Sequence, residues 1–202
     1  MTAVADAYSS SVVRVVPGRN LLISDRFTHL VRIVACTTGL FYGQKMTAGH
    51  IYTVAGGGTE GPESGIPARD EKFEGPLAVA SDPAGDVAII DGSGAGTANL
   101  VLADESRVRV VAAKTGTFYG QHMTVGDIYT VAGGGTQNAI NGTPALKAKF
   151  GFGILQVAVD PAGNLLAGGY STVFMVAERV GSYYGEAQRM TTGFGRDRHV
   201  CP

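Results

Sequence analysis

One 22-residue stretch occurs twice in this chain, almost unchanged, at residues 38–59 and 115–136. The two copies lie 77 positions apart and differ at four positions: Leu40/Thr117, Lys45/His122, Ala48/Val125 and His50/Asp127. Part of the segment that follows repeats at the same distance, with Pro67 and Phe73 matching Pro144 and Phe150. A repeat this close predicts a fold made by stacking one structural unit.

Short β-branched runs between glycine-rich turns indicate that the unit is a group of strands. The chain has 202 residues, 30 of them glycine, and 45% are hydrophobic, which is typical of many tight turns around a buried core. The predicted strands of the first unit are 12–16, 20–25, 30–35 and 51–55. Those of the second are 77–81, 87–91, 107–112 and 128–132. Those of the third are 156–159, 165–167 and 172–177, with a weaker fourth at 188–192.

These runs divide the chain into three units. We predict an N-terminal arm (1–10), a first unit with its linker (11–76), a second (77–154), a third (155–195) and a tail (196–202). The second unit carries a long insert at 92–106 that the others lack. The expected fold class is all-β, with four antiparallel strands in each unit.

Three motifs recur in the units: Val-Ala-Val-Asp-Pro-Ala-Gly-Asn-Leu-Leu at 157–166, Arg-Val-Arg-Val-Val at 107–111 and Ile-Tyr-Thr-Val-Ala-Gly-Gly-Gly at 128–135. With these motifs, residues 11–195 resemble the bacterial NHL-repeat β-propeller family. The resemblance implies propeller blades, commonly six in a ring, whereas this chain has three. Since three blades leave two faces open, either two copies pair head to tail, or these blades belong to a larger propeller.

Function is expected in the unrepeated loops, because binding usually falls to loops on a rigid scaffold. The candidate ligand-contacting residues lie at the ends of second strands or in the loops that follow: Asp25, Arg26, His29, Asp91 and Tyr170. Asp25 and Asp91 end corresponding strands, and could form a polar ring that binds a cation such as Ca²⁺. Alternatively they are turn carboxylates that accept backbone N–H bonds, and we favour this interpretation because the third unit has Gly168-Gly169 there.

Other patterns favour structural roles. Phe41-Tyr42 and Phe118-Tyr119 are expected to pack between units, with each tyrosine hydroxyl satisfied. An acidic linker segment is expected to be a solvated face: Glu60, Glu63, Asp70, Glu71 and Glu74. The histidines lack metal-ligand spacing, and His50 and His122 are expected to be solvated. Cys36 and Cys201 either form one bridge or are a buried thiol and a tail thiol.

The sequence thus favours a non-catalytic binding or scaffold module that engages a protein, peptide or glycan, with no resident cofactor. The alternatives are a metal-dependent propeller enzyme of the lactonase or lyase type and a purely structural subunit. The expected partners include a second copy or further blades. A net charge of −1 argues against nucleic acid, and no apolar run is long enough for membrane insertion. No signal peptide is visible, so we expect a cytoplasmic protein if the start is native and an extracytoplasmic one if the chain is part of a longer precursor.

Overall fold

A computed structural model describes residues 12–91, 107–150, 154–169, 172–179, 181–183, 186–188 and 194–196. This part of the chain is all-β, with two short 3₁₀ turns at Pro17–Arg19 and Ala145–Lys147. The predicted arm 1–10, insert 92–106 and most of the tail lie outside the described residues. In chain order the strands are β1 (Val12–Val15), β2 (Leu21–Asp25), β3 (Leu30–Val34), β4 (Gly39–Phe41), β5 (Gln44–Met46), β6 (Ile51–Ala55), β7 (Ile66–Pro67), β8 (Pro76–Ser81), β9 (Val87–Asp91), β10 (Arg107–Val111), β11 (Gly116–Phe118), β12 (Gln121–Met123), β13 (Asp127–Gly133), β14 (Gln137–Asn138), β15 (Ala148–Lys149), β16 (Ile154–Val159), β17 (Leu165–Gly169), β18 (Val173–Val176), β19 (Gly181–Tyr183), β20 (Glu186–Gln188) and β21 (Phe194–Arg196).

Each predicted unit contains a four-stranded antiparallel meander. The first sheet has the order β1-β2-β3-β6, and the third has the order β16-β17-β18-β21. The second has the order β8-β9-β10-β13, and β7 from the preceding linker pairs with the outer edge of β13. The four-stranded repeat read from the sequence is therefore confirmed for the first two units.

The fourth strand of the third sheet is not where the sequence analysis placed it. β21 (Phe194–Arg196) pairs with β18, whereas Gln188 belongs to a separate hairpin formed by β19 and β20. The prediction of a strand at 188–192 is wrong at Gln188, and residues 189–193 lie outside the described residues. The glycine spacing that located this strand in the first two units is altered here, which removed the signal.

The links between third and fourth strands form a small hairpin that the sequence analysis missed. β4 pairs with β5, and β11 pairs with β12 in the same register. The turn of the first hairpin places Tyr42 and Gly43 at φ values of 49° and 74°. Two successive positive φ values define the turn type that best joins two-residue hairpins.

Each hairpin reaches the next sheet through its tyrosine. The Tyr42 hydroxyl donates to the Gly85 carbonyl at 2.7 Å, and the Tyr119 hydroxyl donates to the Gly163 carbonyl at 2.7 Å. Both acceptors lie in the Asp-Pro-Ala-Gly turn that joins the first two strands of the following sheet. A left-handed conformation is unfavourable for tyrosine, and this contact with the neighbouring sheet helps to hold it. The predicted packing between units, with a satisfied hydroxyl, is confirmed for Tyr42 and Tyr119.

Two buried layers hold the three sheets together. One contains Leu22, Val31 and Ile33 of the first sheet with Val79, Ile89 and other residues of the second. The other contains alternate residues of the second sheet, such as Ala88, Ile90 and Val110, together with Leu165 and Phe174 of the third. Since successive strand residues face opposite sides, the second sheet is buried on both faces. β1 and β2 contact β8, while β8 and β9 contact β16, so the first strands of successive sheets are neighbours.

Candidate functional site

The loop between β2 and β3 carries three of the five predicted site residues. Asp25 ends β2 and accepts a hydrogen bond from the Thr28 backbone N–H at 3.2 Å. His29 closes the turn at a φ of 59° and is exposed, while Arg26 is half-buried. Between them Phe27 is 82% exposed, a feature that the sequence analysis did not single out. The loop therefore presents a cation, an aromatic ring and an imidazole on a turn closed by a carboxylate.

Asp91 lies in a different environment. It ends β9 in the register position that Asp25 has in the first sheet, but it is 9% exposed and accepts the Gly75 N–H at 3.1 Å. Burial raises the pKa of the Asp91 carboxyl above its ordinary value, and the Gly75 N–H and the Arg109 guanidinium oppose that rise. Both aspartates thus make the backbone contacts expected of turn carboxylates. Tyr170, the fifth predicted residue, lies outside the described residues.

A buried ion pair beside Asp91 was not predicted. Arg109 donates to both carboxylate oxygens of Glu71, at 3.1 and 3.0 Å, and both side chains are fully buried. The same guanidinium donates to the backbone carbonyl of Glu63. These bonds hold the linker between the first two sheets against one face of the second sheet. The expectation that the whole acidic segment is solvated is wrong at Glu71, although the other four acids are exposed.

Desolvation dominates the electrostatics of this pair. Burial raises the pKa of Glu71 to about 7, and the neighbouring Arg109 only partly offsets the rise. Burial likewise lowers the pKa of Arg109, while Glu71 and Asp91 act in the opposite direction. Such shifts occur in structural ion pairs as well as in active sites. Here every described partner of the guanidinium belongs to the linker or to the sheet, which favours a structural role.

The third sheet replaces both members of the pair at once. Phe174 occupies the position of Arg109. Arg109 lies opposite Ile89 on the second strand of its sheet, and Phe174 lies opposite Ala167, which is the equivalent residue of the third sheet. The position of Glu71, 77 residues on, is occupied by Ala148. Phe174 packs instead against Phe150, with ring centroids 5.3 Å apart. An arginine on the sheet thus occurs with an acid in the linker, and a phenylalanine with an alanine.

A second buried carboxylate, Asp86, closes the Asp-Pro-Ala-Gly turn of the second sheet. It is 3% exposed, and its Oδ1 accepts the Ala113 N–H while its Oδ2 has no hydrogen-bond partner. Asn20 and Asn164 make the corresponding bond in the first and third sheets, to the Cys36 and Glu178 N–H groups. Burial raises the pKa of Asp86 to about 6, and the nearby Asp82 carboxylate adds to the rise.

Metal-ligating residues do not cluster in the described part of the chain. No three His, Cys, Asp or Glu side chains lie close enough there to hold one ion. His50 and His122 are exposed, as predicted. Cys36 is a free, exposed thiol, so the expectation of a buried thiol is wrong, and Cys201 lies outside the described residues.

Comparison with known proteins adds little to this geometry. No family model and no curated protein matches the chain. A crystal structure of a structural genomics protein of unknown function from Bacteroides thetaiotaomicron is similar, with 15% identity and a TM-score of 0.43. The match covers 87% of this chain and 31% of the Bacteroides protein, so this chain spans about a third of the length of that protein. Among the described residues no helix has the length and hydropathy needed to cross a membrane.

Proposed function

We propose that the chain is a non-catalytic binding or scaffold module of the NHL-repeat β-propeller type, in which the three four-stranded sheets are three blades. The observation that most supports this is that the junction between the first and second sheets repeats between the second and third. Each junction has a buried apolar layer and a tyrosine that bonds the next sheet. A scaffold that repeats one junction is rigid, and binding on rigid scaffolds falls to the loops between strands.

The loop 25–29 is the surface that we assign to ligand contact. A single exposed apolar residue needs no explanation, but Phe27 stands between Arg26 and His29 on a turn held by Asp25. Aromatic and arginine side chains contribute most to binding at protein interfaces, and an aromatic ring also stacks on the apolar face of a sugar. The partner is accordingly a protein, peptide or glycan that buries the Phe27 ring and accepts hydrogen bonds from Arg26.

The outer face of the first sheet supports association with another blade. Val13 and Leu21 on this face are 51% and 39% exposed, whereas Val79 and Val87 at the corresponding positions of the second sheet are fully buried by the first. An apolar sheet face of this kind is typical of a surface covered by a neighbour. That neighbour is a second copy of the chain or a further blade of the same propeller.

Ligand contact is tested by selection and a matched pair of variants. Immobilised protein is used to select from a twelve-residue peptide phage library and from a glycan array. Recovered ligands are then measured against Phe27→Ser and Leu40→Thr. Leu40 is also an exposed apolar residue, at 70%, but it lies on the repeated hairpin, and its counterpart in the second unit is Thr117.

We expect recovered ligands to bind the wild type and Leu40→Thr alike and to bind Phe27→Ser at least tenfold more weakly. Equal binding to all three proteins would contradict the assignment of the loop, as would selection that yields no ligand at all. Association is tested separately by light scattering across protein concentrations. A particle of constant mass near 20.8 kDa would contradict head-to-tail pairing of two copies.

A further inference from the structure

The outer face of the first sheet has almost the same residues as the face of the second sheet that meets the linker. In both sheets one row of side chains crosses the four strands in the order valine, isoleucine, arginine, threonine. The row consists of Val13, Ile23, Arg32 and Thr53 in the first sheet and of Val79, Ile89, Arg109 and Thr130 in the second. The valine, isoleucine and arginine of the second row are fully buried. Arg32 therefore lies on a face that is equivalent to a covered one.

Arg32 lacks the partner that Arg109 has. The terminal nitrogens of Arg109 donate to the Glu71 carboxylate and to the Glu63 carbonyl. The half-buried Arg32 makes no hydrogen bond or ion pair within the described part of the chain. An arginine binds a carboxylate through two parallel hydrogen bonds, which are stronger than bonds between neutral groups. Charge complementarity thus favours a partner that brings a carboxylate to Arg32.

The strand edge beside Arg32 is open as well. Within the described residues β6 is the outermost strand of the first sheet, whereas the equivalent β13 pairs on its outer side with β7 of the linker. The linker adds two bonds to that edge: the Gly65 N–H donates to the Ile128 carbonyl, and the Thr130 N–H donates to the Ser64 hydroxyl. An open strand edge accepts an extended peptide through such main-chain bonds, while neighbouring side chains give specificity.

The next row on this face is apolar and open. Its residues are Val15, Leu21, Val34 and Ile51. Val15 is 73% exposed and Ile51 is 46% exposed, whereas Ile128, at the position of Ile51, is fully buried. Ile128 shares its buried layer with Phe73, the linker residue two positions after Glu71. An aromatic side chain at that distance from the carboxylate therefore suits the apolar row beside Arg32.

We propose that the first sheet binds an extended segment of a partner polypeptide, which adds a strand to the outer edge of β6. The segment brings a carboxylate to Arg32 and, two residues later, an aromatic side chain to the apolar row. Residues 63–73 of this chain have that chemistry, and they cover the second sheet in this way. The third sheet agrees, because it has neither the arginine nor, in its linker, the acid. The inference rests on the proposed binding role of the chain and states which partner this face takes.

The test is a titration of the full chain with a labelled, end-blocked synthetic peptide that has the sequence of residues 63–73, followed by fluorescence anisotropy. A second peptide carries Glu71→Gln. We expect the wild type to bind the first peptide about tenfold more tightly, because only the carboxylate forms a charge-assisted pair with Arg32. Arg32→Leu should bind both peptides within about twofold, and Arg32→Lys, which keeps the charge, should retain part of the preference. Leu40→Thr, on the repeated hairpin, is the matched control and should bind like the wild type.

Nitrogen–proton spectra of the protein locate the contact. The peptide should shift the backbone N–H of Thr53 on the edge of β6 and leave unchanged that of Thr130, whose edge the linker already covers. No binding up to about 1 mM peptide, equal affinity of the wild type for both peptides, or a shift at Thr130 in place of Thr53 would overturn the proposal. Ligands of the loop 25–29 are measured separately with Phe27→Ser, so failure of this proposal and failure of the loop assignment give different results.

Discussion

Replacing Asp86 with asparagine should make the protein more stable at neutral pH. Asp86 is almost fully buried, and one of its carboxylate oxygens has no hydrogen-bond partner. Asn20 and Asn164 occupy the corresponding positions of the other two sheets. In the third sheet both the nitrogen and the oxygen of the amide are hydrogen-bonded: Nδ2 of Asn164 donates to Asp160 at 2.8 Å, while Oδ1 accepts the Glu178 N–H. The second sheet has a carboxylate, Asp82, in the place of Asp160.

The magnitude follows from the pKa of Asp86, which burial raises from 3.8 to about 6. Between these values the folded protein retains a proton that the unfolded chain has released, so stability falls as the pH rises through this window. One pKa unit corresponds to about 1.4 kcal/mol, so ionised Asp86 costs about 3 kcal/mol at pH 7. Asparagine removes this cost and adds a donor toward Asp82, although the bond from the Ala113 N–H becomes weaker. We expect a net gain of about 2 kcal/mol at pH 7.

The measurement is urea unfolding of the wild type and Asp86→Asn at several pH values between 4 and 7.5. The advantage of the variant should be full near pH 7 and should disappear as the pH approaches 4, where the wild-type carboxyl is protonated. The reverse change, Asn164→Asp, should lose stability at pH 7 and recover part of it in acid. A destabilised Asp86→Asn at pH 7, or a gain that stays constant across the pH range, would contradict a cost of ionised Asp86 in the folded protein.

Three further results are expected. Glu71→Ala alone should lower the free energy of unfolding by about 3 kcal/mol, because it leaves the buried Arg109 guanidinium uncompensated. Adding Arg109→Phe copies the third sheet and should restore most of this loss. Additive losses of the two substitutions in urea unfolding would contradict this expectation. Tyr119→Phe should lower the unfolding free energy by about 1 kcal/mol through loss of its bond to the next sheet, and an unchanged urea midpoint would count against that bond. Gly58→Ala should strongly lower the melting temperature, because the added Cβ would collide with the Asp70 backbone. Gly61→Ala serves as the control, since a Cβ added at Gly61 would meet open space. Similar melting temperatures of the two variants would contradict the collision.

The sequence allowed the strands and the repeat to be predicted because both depend on local patterns. β-branched runs and glycine turns located the four strands of the first two units, and the repetition of Tyr42 at Tyr119 indicated a structural role that the hydrogen bonds confirm. The small hairpins escaped because each strand has three residues, too short for alternation to be visible. The fourth strand of the third sheet was misplaced because its glycine spacing differs from that of the other units.

The buried charges were missed for a different reason. Glu71 lies among exposed acids in the linker, and nothing in that local sequence distinguishes it from them. Its burial depends on Arg109, which lies 38 residues away on strand β10 of the second sheet. The one signal in the sequence is comparative: at equivalent positions of the next unit the acid and the arginine both become apolar, to Ala148 and Phe174. A single buried charge cannot be exchanged for an apolar group without leaving its partner unpaired, so the two positions must change together. Within a repeat protein, positions that differ in pairs between units therefore indicate contacts that neither position reveals alone.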